Sequence, residues 1–174
     1  HHQPRRQRQM CIRDRTGVDI SDVAIHTAKI HAEKQGLEIK YLNCEAEDLL
    51  PAEKESYDLV TCLEAIEHVP DPAKLVETCS NLCKPGGTIV FSTINRNPKS
   101  FLFAIIGAEY ILNLLPKGTH EYKKFIKPSE LSSMMRDNSL EVIEVIGMSY
   151  NPITKNYWLG KDVDVNYLIH ARKK

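Results

Sequence analysis

From Thr16 to Thr93 the chain alternates short strand-like and helix-like segments, and that alternation restricts it to an α/β sheet. Thr16–Ile20 (TGVDI) reads as the end of a strand. Ser21 is a helix-capping residue, and the helix it opens runs to about Gln35, where Gly36 stops it. Glu38–Asn43 alternates polar and apolar residues as a second strand. Tyr57–Leu63 (YDLVTCL) is mostly apolar, which predicts a strand buried on both faces. A helix is expected over Pro72–Lys84 and a turn at Pro85-Gly86-Gly87, before another buried strand at Thr88–Thr93 (TIVFST).

Beyond Thr93 the pattern changes. Phe101–Leu115 is nearly all apolar, with Glu109 and Asn113 its strongly polar residues. Pro128–Asp137 reads as a helix, followed by strands at Glu141–Tyr150 and Val165–Ala171. No helix separates those two strands, so antiparallel pairing is expected. At 174 residues the chain is long enough for one domain with a proper core, and it shows no repeats or low-complexity segments.

The formal net charge is zero, yet the charges are unevenly placed. Residues 1–15 hold five Arg, no Lys and one acid, Asp14. From Thr16 onward there are 18 basic and 22 acidic residues, and 15 of the basic ones are Lys. The head has no apolar periodicity and no signal-peptide stretch, so residues 1–15 are expected to be a disordered or non-native tail, with 16–174 the folded domain. A native basic arm for nucleic acid is the competing interpretation of the head. The five cysteines are an odd number without a CxxC pair, which fits reduced thiols in a cytoplasmic protein better than disulfides or zinc.

Three places carry candidate chemistry, all at strand ends. Asp19 closes the first strand, where a carboxylate can accept both hydroxyls of a ribose; it could equally be a polar strand end or helix-cap helper. After the second strand, Glu45 and Ala46 offer an acid and a small residue beside which an adenine could lie, or simply a solvated helix start. The third place is Leu63-Glu64-Ala65-Ile66-Glu67-His68-Val69-Pro70-Asp71-Pro72. If Glu64 begins a helical turn, Glu67 and His68 share its face at i+3 and i+4. Two carboxylates and an imidazole so placed could hold a divalent cation, manage a proton, or form a surface salt-bridge cluster. Their position directly after a strand favours a functional role.

These residues belong to longer stretches. YDLVTCLEAIEHVPDP, LCKPGGTIVFSTINRNPKS, GAEYILNLLPKGTHEYKKFIKP and GMSYNPITKNYWLGKDVDVNYLIH resemble the ubiquinone-biosynthesis O-methyltransferase family, from Gly17 to the C-terminus. The strand–EHVxDP and KPGG pieces are shared by many class I methyltransferases. The KGTHxxxKF segment and the YNP…VNY tail are specific to this family.

The resemblance implies an α/β, Rossmann-like fold of the class I S-adenosylmethionine-dependent methyltransferases. The family's first strand and its glycine-rich loop have no counterpart in the sequence, so the cofactor is expected to bind this polypeptide weakly. The resemblance implies Asp19 and Leu63 as cofactor residues, to which the strand-end reading adds Glu45 and Ala46; the implied metal ligands are Glu64, Glu67 and His68, and the implied ion is magnesium. The implied substrate is a polyprenylated phenol or catechol, methylated on a ring hydroxyl. The implied place is cytoplasmic, peripheral to the inner face of a bacterial membrane, with other ubiquinone-biosynthesis enzymes as partners and no nucleic acid.

A phenol has a pKa of about 10 and is a weak nucleophile near neutrality. A divalent cation on adjacent ring oxygens would favour the phenolate. Imidazole is an uncommon magnesium ligand, so His68 is alternatively the base that takes the phenol proton. Phe101–Leu115 would make a helix of about 22 Å, too short for a bilayer core of about 30 Å. Residues 98–117 are therefore expected to be a lid that dips into the membrane surface, with Lys99 and Lys117 flanking it and His120 near its mouth; a buried core helix is the alternative. A nicotinamide-dependent oxidoreductase would share the Asp19 device but leaves EHVPDP and KGTH unexplained. A catalytically incomplete fragment or a non-enzymatic lipid-binding relative is the other competing reading.

Overall fold

A computed structural model describes residues 14–100, 122–151 and 154–174. Two compact units divide the chain, His1–Pro51 and Ala52–Lys174.

In the first unit, strand β1 (Thr16–Asp19) pairs in parallel with β2 (Lys40–Asn43), and helix α1 (Asp22–Lys34) is the crossover that a parallel pair requires. Ser21 caps α1, its hydroxyl accepting the Ala24 N–H at 3.2 Å. Gly36 takes a left-handed φ of 63° just past the helix end, where a Cβ would be strained. Ile25 and Ala32 form the buried face of the helix. The Arg15 carbonyl accepts the Lys40 N–H at 2.9 Å, so the ladder begins one residue inside the basic head.

The second unit is a five-stranded mixed sheet in the order β3-β4-β7-β5-β6. Its strands are β3 (Tyr57–Leu63), β4 (Cys83–Ile94), β5 (Leu140–Asn151), β6 (Asn156–Gly160) and β7 (Asn166–Lys173). Only β3 and β4 are parallel, and helix α2 (Pro72–Leu82) connects them. Asp71 caps α2 by accepting the Lys74 N–H at 3.0 Å, and Pro72 follows in the first turn, where its missing N–H costs nothing. Helix α3 (Pro128–Asp137) matches the expected span, and α2 and α3 pack together against β4, β5 and β7. Ile89, Phe91, Tyr167 and Ile169 of the sheet are fully buried with Val76 of α2 and Leu131 and Met135 of α3. Each such aliphatic or aromatic side chain contributes about 1.5–3 kcal/mol of burial.

β5 and β7 pair antiparallel, as the missing helix between them implied. Three readings of the sequence change. β3 is an edge strand whose sole partner among the described residues is β4, so Leu59 and Leu63 are exposed rather than buried on both faces. The Pro85-Gly86-Gly87 turn lies inside β4 as a bulge, where pairing shifts from Tyr57↔Cys83 to Leu59↔Thr88. A Cβ on Gly87 would stand 2.6 Å from Cys83 Sγ, so the bulge closes only around glycine. Finally, β6 is a strand that no sequence pattern announced.

Candidate active site

Parallel strands expose their carboxyl ends to whatever binds above them. At that edge of the first unit, register sets Asp19 beside Asn43, and the Asn43 side-chain amide donates to the Asp19 carbonyl at 3.0 Å. Asp19 is exposed; its Oδ1 accepts the Ser21 N–H at 2.7 Å. Its other carboxylate oxygen has no partner among the described residues, which suits a ribose diol. Glu45 and Ala46 follow β2 directly, at the start of a 3-10 turn, Ala46–Leu49. The Asp48 carboxylate accepts the Glu45 N–H at 3.1 Å and fixes that turn. The three residues read as cofactor contacts in this unit therefore share one edge.

At the carboxyl end of β3, Leu63 pairs with Ser92. Glu64 then turns the chain with a left-handed φ of 52°, and its N–H is shared between the Ser92 carbonyl and hydroxyl, both at 3.1 Å. The Ser92 hydroxyl donates back to Glu64 Oε1 at 2.6 Å, and the Asn166 amide donates to the same oxygen at 3.2 Å. Next comes a short 3-10 turn, Ile66–His68. Glu67 is buried, and Thr93 Oγ1 donates to its Oε2 at 2.8 Å. Burial raises the Glu67 carboxyl above the usual range, against the pull of its backbone and Thr93 hydrogen bonds. The Glu64 charge raises it further, and His68 opposes that. The neighbouring Cys62 thiol is pushed up to about 12 by burial and by the charges of Glu67 and Glu64.

This corrects the expected ligand face. Glu64 lies outside the helical turn, and a 3-10 turn is too tight to stack i, i+3 and i+4 on an α-helical face. Glu67 points inward onto Thr93, whereas His68 and Glu64 are exposed. Among the described residues no three His, Cys, Asp or Glu side chains gather as a metal-binding group. As placed, Glu64, Glu67 and His68 do not fit a divalent cation.

Ser92, Thr93 and Asn166 escaped the sequence reading. Two hydroxyls closing an apolar strand, and an amide opening the VNY strand, were the available signals. Tyr167, buried beside Asn166, donates to the Ile126 carbonyl at 2.9 Å, and the Ile126 N–H donates to the Ile94 carbonyl at 3.2 Å. The end of the KGTHxxxKF segment is thereby anchored beside β4. Of the expected lid, only Pro98–Ser100 falls among the described residues; Phe101–Leu115, Lys117 and His120 lie outside them. No helix among the described residues is long and apolar enough to cross a membrane.

The methyltransferase-domain family matches residues 4–91. A "Ubiquinone biosynthesis O-methyltransferase" of Saccharophagus degradans is 56% identical over 91% of this chain and 67% of the relative. The protein of the same name from Marinobacter nauticus is 58% identical over 90% of this chain and 67% of its own length. The chain belongs to the ubiquinone-biosynthesis O-methyltransferase family. It spans about two thirds of the length of these relatives. Among solved structures, a SAM-dependent methyltransferase from Thermotoga maritima, a possible histamine N-methyltransferase, aligns with a TM-score of 0.63 and 26% identity. That alignment covers 92% of this chain and 73% of the other. A second, from Methanosarcina mazei, has a TM-score of 0.63 at 22% identity, over 91% of this chain and 81% of its own, and supports the fold alone. The fold is thus the class I methyltransferase α/β fold.

Proposed function

We propose that the protein transfers a methyl group from S-adenosylmethionine to a ring hydroxyl of a polyprenylated phenol or catechol in ubiquinone biosynthesis. The observation that carries this reading is identity above one half with the named relatives, over nine-tenths of the chain. When bound, S-adenosylmethionine supplies an electrophilic methyl group on a sulfonium. In the first unit, Asp19 holds its ribose hydroxyls through the carboxylate oxygen that Ser21 leaves open, and Glu45 and Ala46 flank its adenine. His68, exposed at the end of its 3-10 turn, takes the proton from the ring hydroxyl, whose pKa of about 10 leaves it mostly protonated near neutrality. Holding acceptor and donor in contact supplies much of the remaining acceleration.

A divalent cation belongs to this reading through the family resemblance alone, and no step is routed through it. A substrate with a prenyl tail resides in a bilayer, which places the protein at the cytoplasmic membrane surface beside other enzymes of the route.

The test joins this chain to the part of the Saccharophagus degradans relative that it leaves uncovered, and supplies labelled S-adenosylmethionine with a short-tailed prenyl catechol. Labelled methyl ether is the expected product, in amounts that His68→Ala reduces at neutral pH and that high pH restores. A folded chimera that transfers no label overturns the activity. An unaffected His68→Ala removes that residue as the base, and an arm with EDTA decides the cation.

A further inference from the structure

We propose that Ser92 and Asn166 are positioning residues for the methyl transfer: together they lock the Glu64 carboxylate so that its second oxygen stays open to the neighbouring hydroxyl of a catechol. This deepens the reading above and rests on it for the substrate. Ser92 is 3% exposed, and its hydroxyl donates to Glu64 Oε1 at 2.6 Å. The Asn166 amide donates to the same oxygen at 3.2 Å. Glu64 is exposed, yet Oε2 has no partner and no cation pairs with the carboxylate among the described residues.

An exposed carboxylate needs no such grip in order to fold, because water satisfies it. Two features of the grip cost stability. Glu64 holds a left-handed φ of 52°, a region that disfavours residues with a Cβ, and its N–H is fixed there by the Ser92 carbonyl and hydroxyl. Asn166 Oδ1 is buried without a hydrogen-bond partner among the described residues. Turning the amide over would set that carbonyl oxygen against Glu64 Oε1, so the carboxylate itself dictates which end stays unsatisfied. A strained backbone and an orphaned acceptor that both serve one surface carboxylate mark a group held for binding.

Strand alternation explains why Glu64 alone is presented. Ser92 and Thr93 are successive residues of β4 and point to opposite faces of the sheet. Thr93 binds Glu67 on the face of its register partner Tyr167, and Ser92 binds Glu64 on the other, the face of Leu168 and Asn166. Asn166 is itself firmly placed, because the Asn95 N–H donates to the Val165 carbonyl at 2.9 Å and the Asn95 amide to the Val163 carbonyl at 3.0 Å. Glu64 Oε2 is a charged acceptor and suits a hydroxyl donor. His68, exposed four residues on, takes the proton of the hydroxyl that receives the methyl group. Glu64 accepts a hydrogen bond from the adjacent hydroxyl and so fixes which oxygen faces the methyl donor.

The protein as it stands gives a readout that needs no turnover. In a nitrogen-edited NMR spectrum the Asn166 side-chain amide, assigned by its loss in Asn166→Ala, is expected to shift on Glu64→Gln and on titration with methylcatechol. The dimethyl ether of the same catechol, which cannot donate, should leave it in place. Asn166→Ala should unfold in urea at a midpoint no lower than that of wild type, because the variant removes the orphaned acceptor along with the donor. In the folded chimera, Asn166→Ala and Ser92→Ala should each lower kcat/KM, chiefly through KM, about tenfold more on the short-tailed prenyl catechol than on a prenyl phenol with a single hydroxyl. Ser92→Thr keeps the hydroxyl and should restore most of that loss. An amide resonance that ignores Glu64→Gln, or that answers catechol and dimethyl ether alike, overturns the proposal. So does equal loss on catechol and phenol accompanied by a fall in stability, which would make both residues structural. A catechol preference that EDTA abolishes would replace the hydrogen bond with a cation. A chimera that transfers no label refutes the activity, and the NMR readout then decides this proposal by itself.

Discussion

Thr93 Oγ1 donates a 2.8 Å hydrogen bond to Glu67 Oε2, and both residues are buried. A carboxyl group in that setting is more comfortable neutral than charged, because burial penalises the charge more than one hydroxyl offsets it.

Stability should therefore depend on pH through Glu67. Its folded pKa is raised above the unfolded value of about 4.3. The group's contribution is fully present below the unfolded value and is lost as pH rises through the folded one. Glu67→Gln cannot titrate, so the stability of the variant minus that of the wild type should rise with pH. Urea unfolding at a series of pH values from about 4 to about 8 measures this. A flat or falling difference would mean that the carboxylate is stabilised in the fold as a charge.

Thr93→Val should cost more than its small change in shape suggests. The variant strands a buried carboxyl group without its donor, a loss of about 1–3 kcal/mol. Thr93→Ser keeps the hydroxyl and should recover most of that loss. Equal destabilisation by both variants would assign the effect to the methyl group instead.

Gly147 lies in β5 where a Cβ would stand 1.7 Å from the Asp162 carbonyl oxygen. Gly147→Ala must push the 162–165 segment away, at a cost of about 1–3 kcal/mol or more. The displaced segment carries the Asp162 and Asp164 partners of Lys99 and the carbonyls that the Asn95 and Asn97 side chains hold. A melting temperature equal to that of wild type would show that the close approach is relieved at no cost.

Cys62 should resist alkylation. With its thiol pushed up to about 12, very little thiolate exists near neutrality. Iodoacetamide labelling followed by peptide mass spectrometry should find Cys62 modified only after denaturation. Rapid labelling in the folded protein would contradict this environment.

Local signals in the sequence were strong enough for much of the fold. The Ser21 cap, the Gly36 stop, helix Pro128–Asp137 and the antiparallel pairing of β5 with β7 were all legible. What escaped was set by neighbours rather than by local composition. YDLVTCL is apolar enough for a central strand, but burial depends on how many strands flank it, and β3 has one in this sheet. Likewise the spacing of Glu64, Glu67 and His68 promised a shared face only if the backbone stayed α-helical. Glu64 instead turns left-handed to bring its N–H onto Ser92, a partner 28 positions away that no local pattern reveals.

The position of β7 has a consequence for how the molecule is made. β7 lies between β4 and β5, yet it is synthesised after every other strand of its sheet. Near its end, Lys173 is buried and donates to Glu55 and to the Cys83 carbonyl, both at 3.0 Å. On the ribosome, β3 can pair with β4 and β5 with β6 as they emerge, but the two pairs cannot join until β7 follows. During that interval β4 and β5 each present an unpaired, apolar edge, the kind of surface that chaperones bind and that aggregates nucleate from. Premature stop codons within the last eight codons of the strand should therefore be far more damaging to soluble yield than losses of equal length from the basic head.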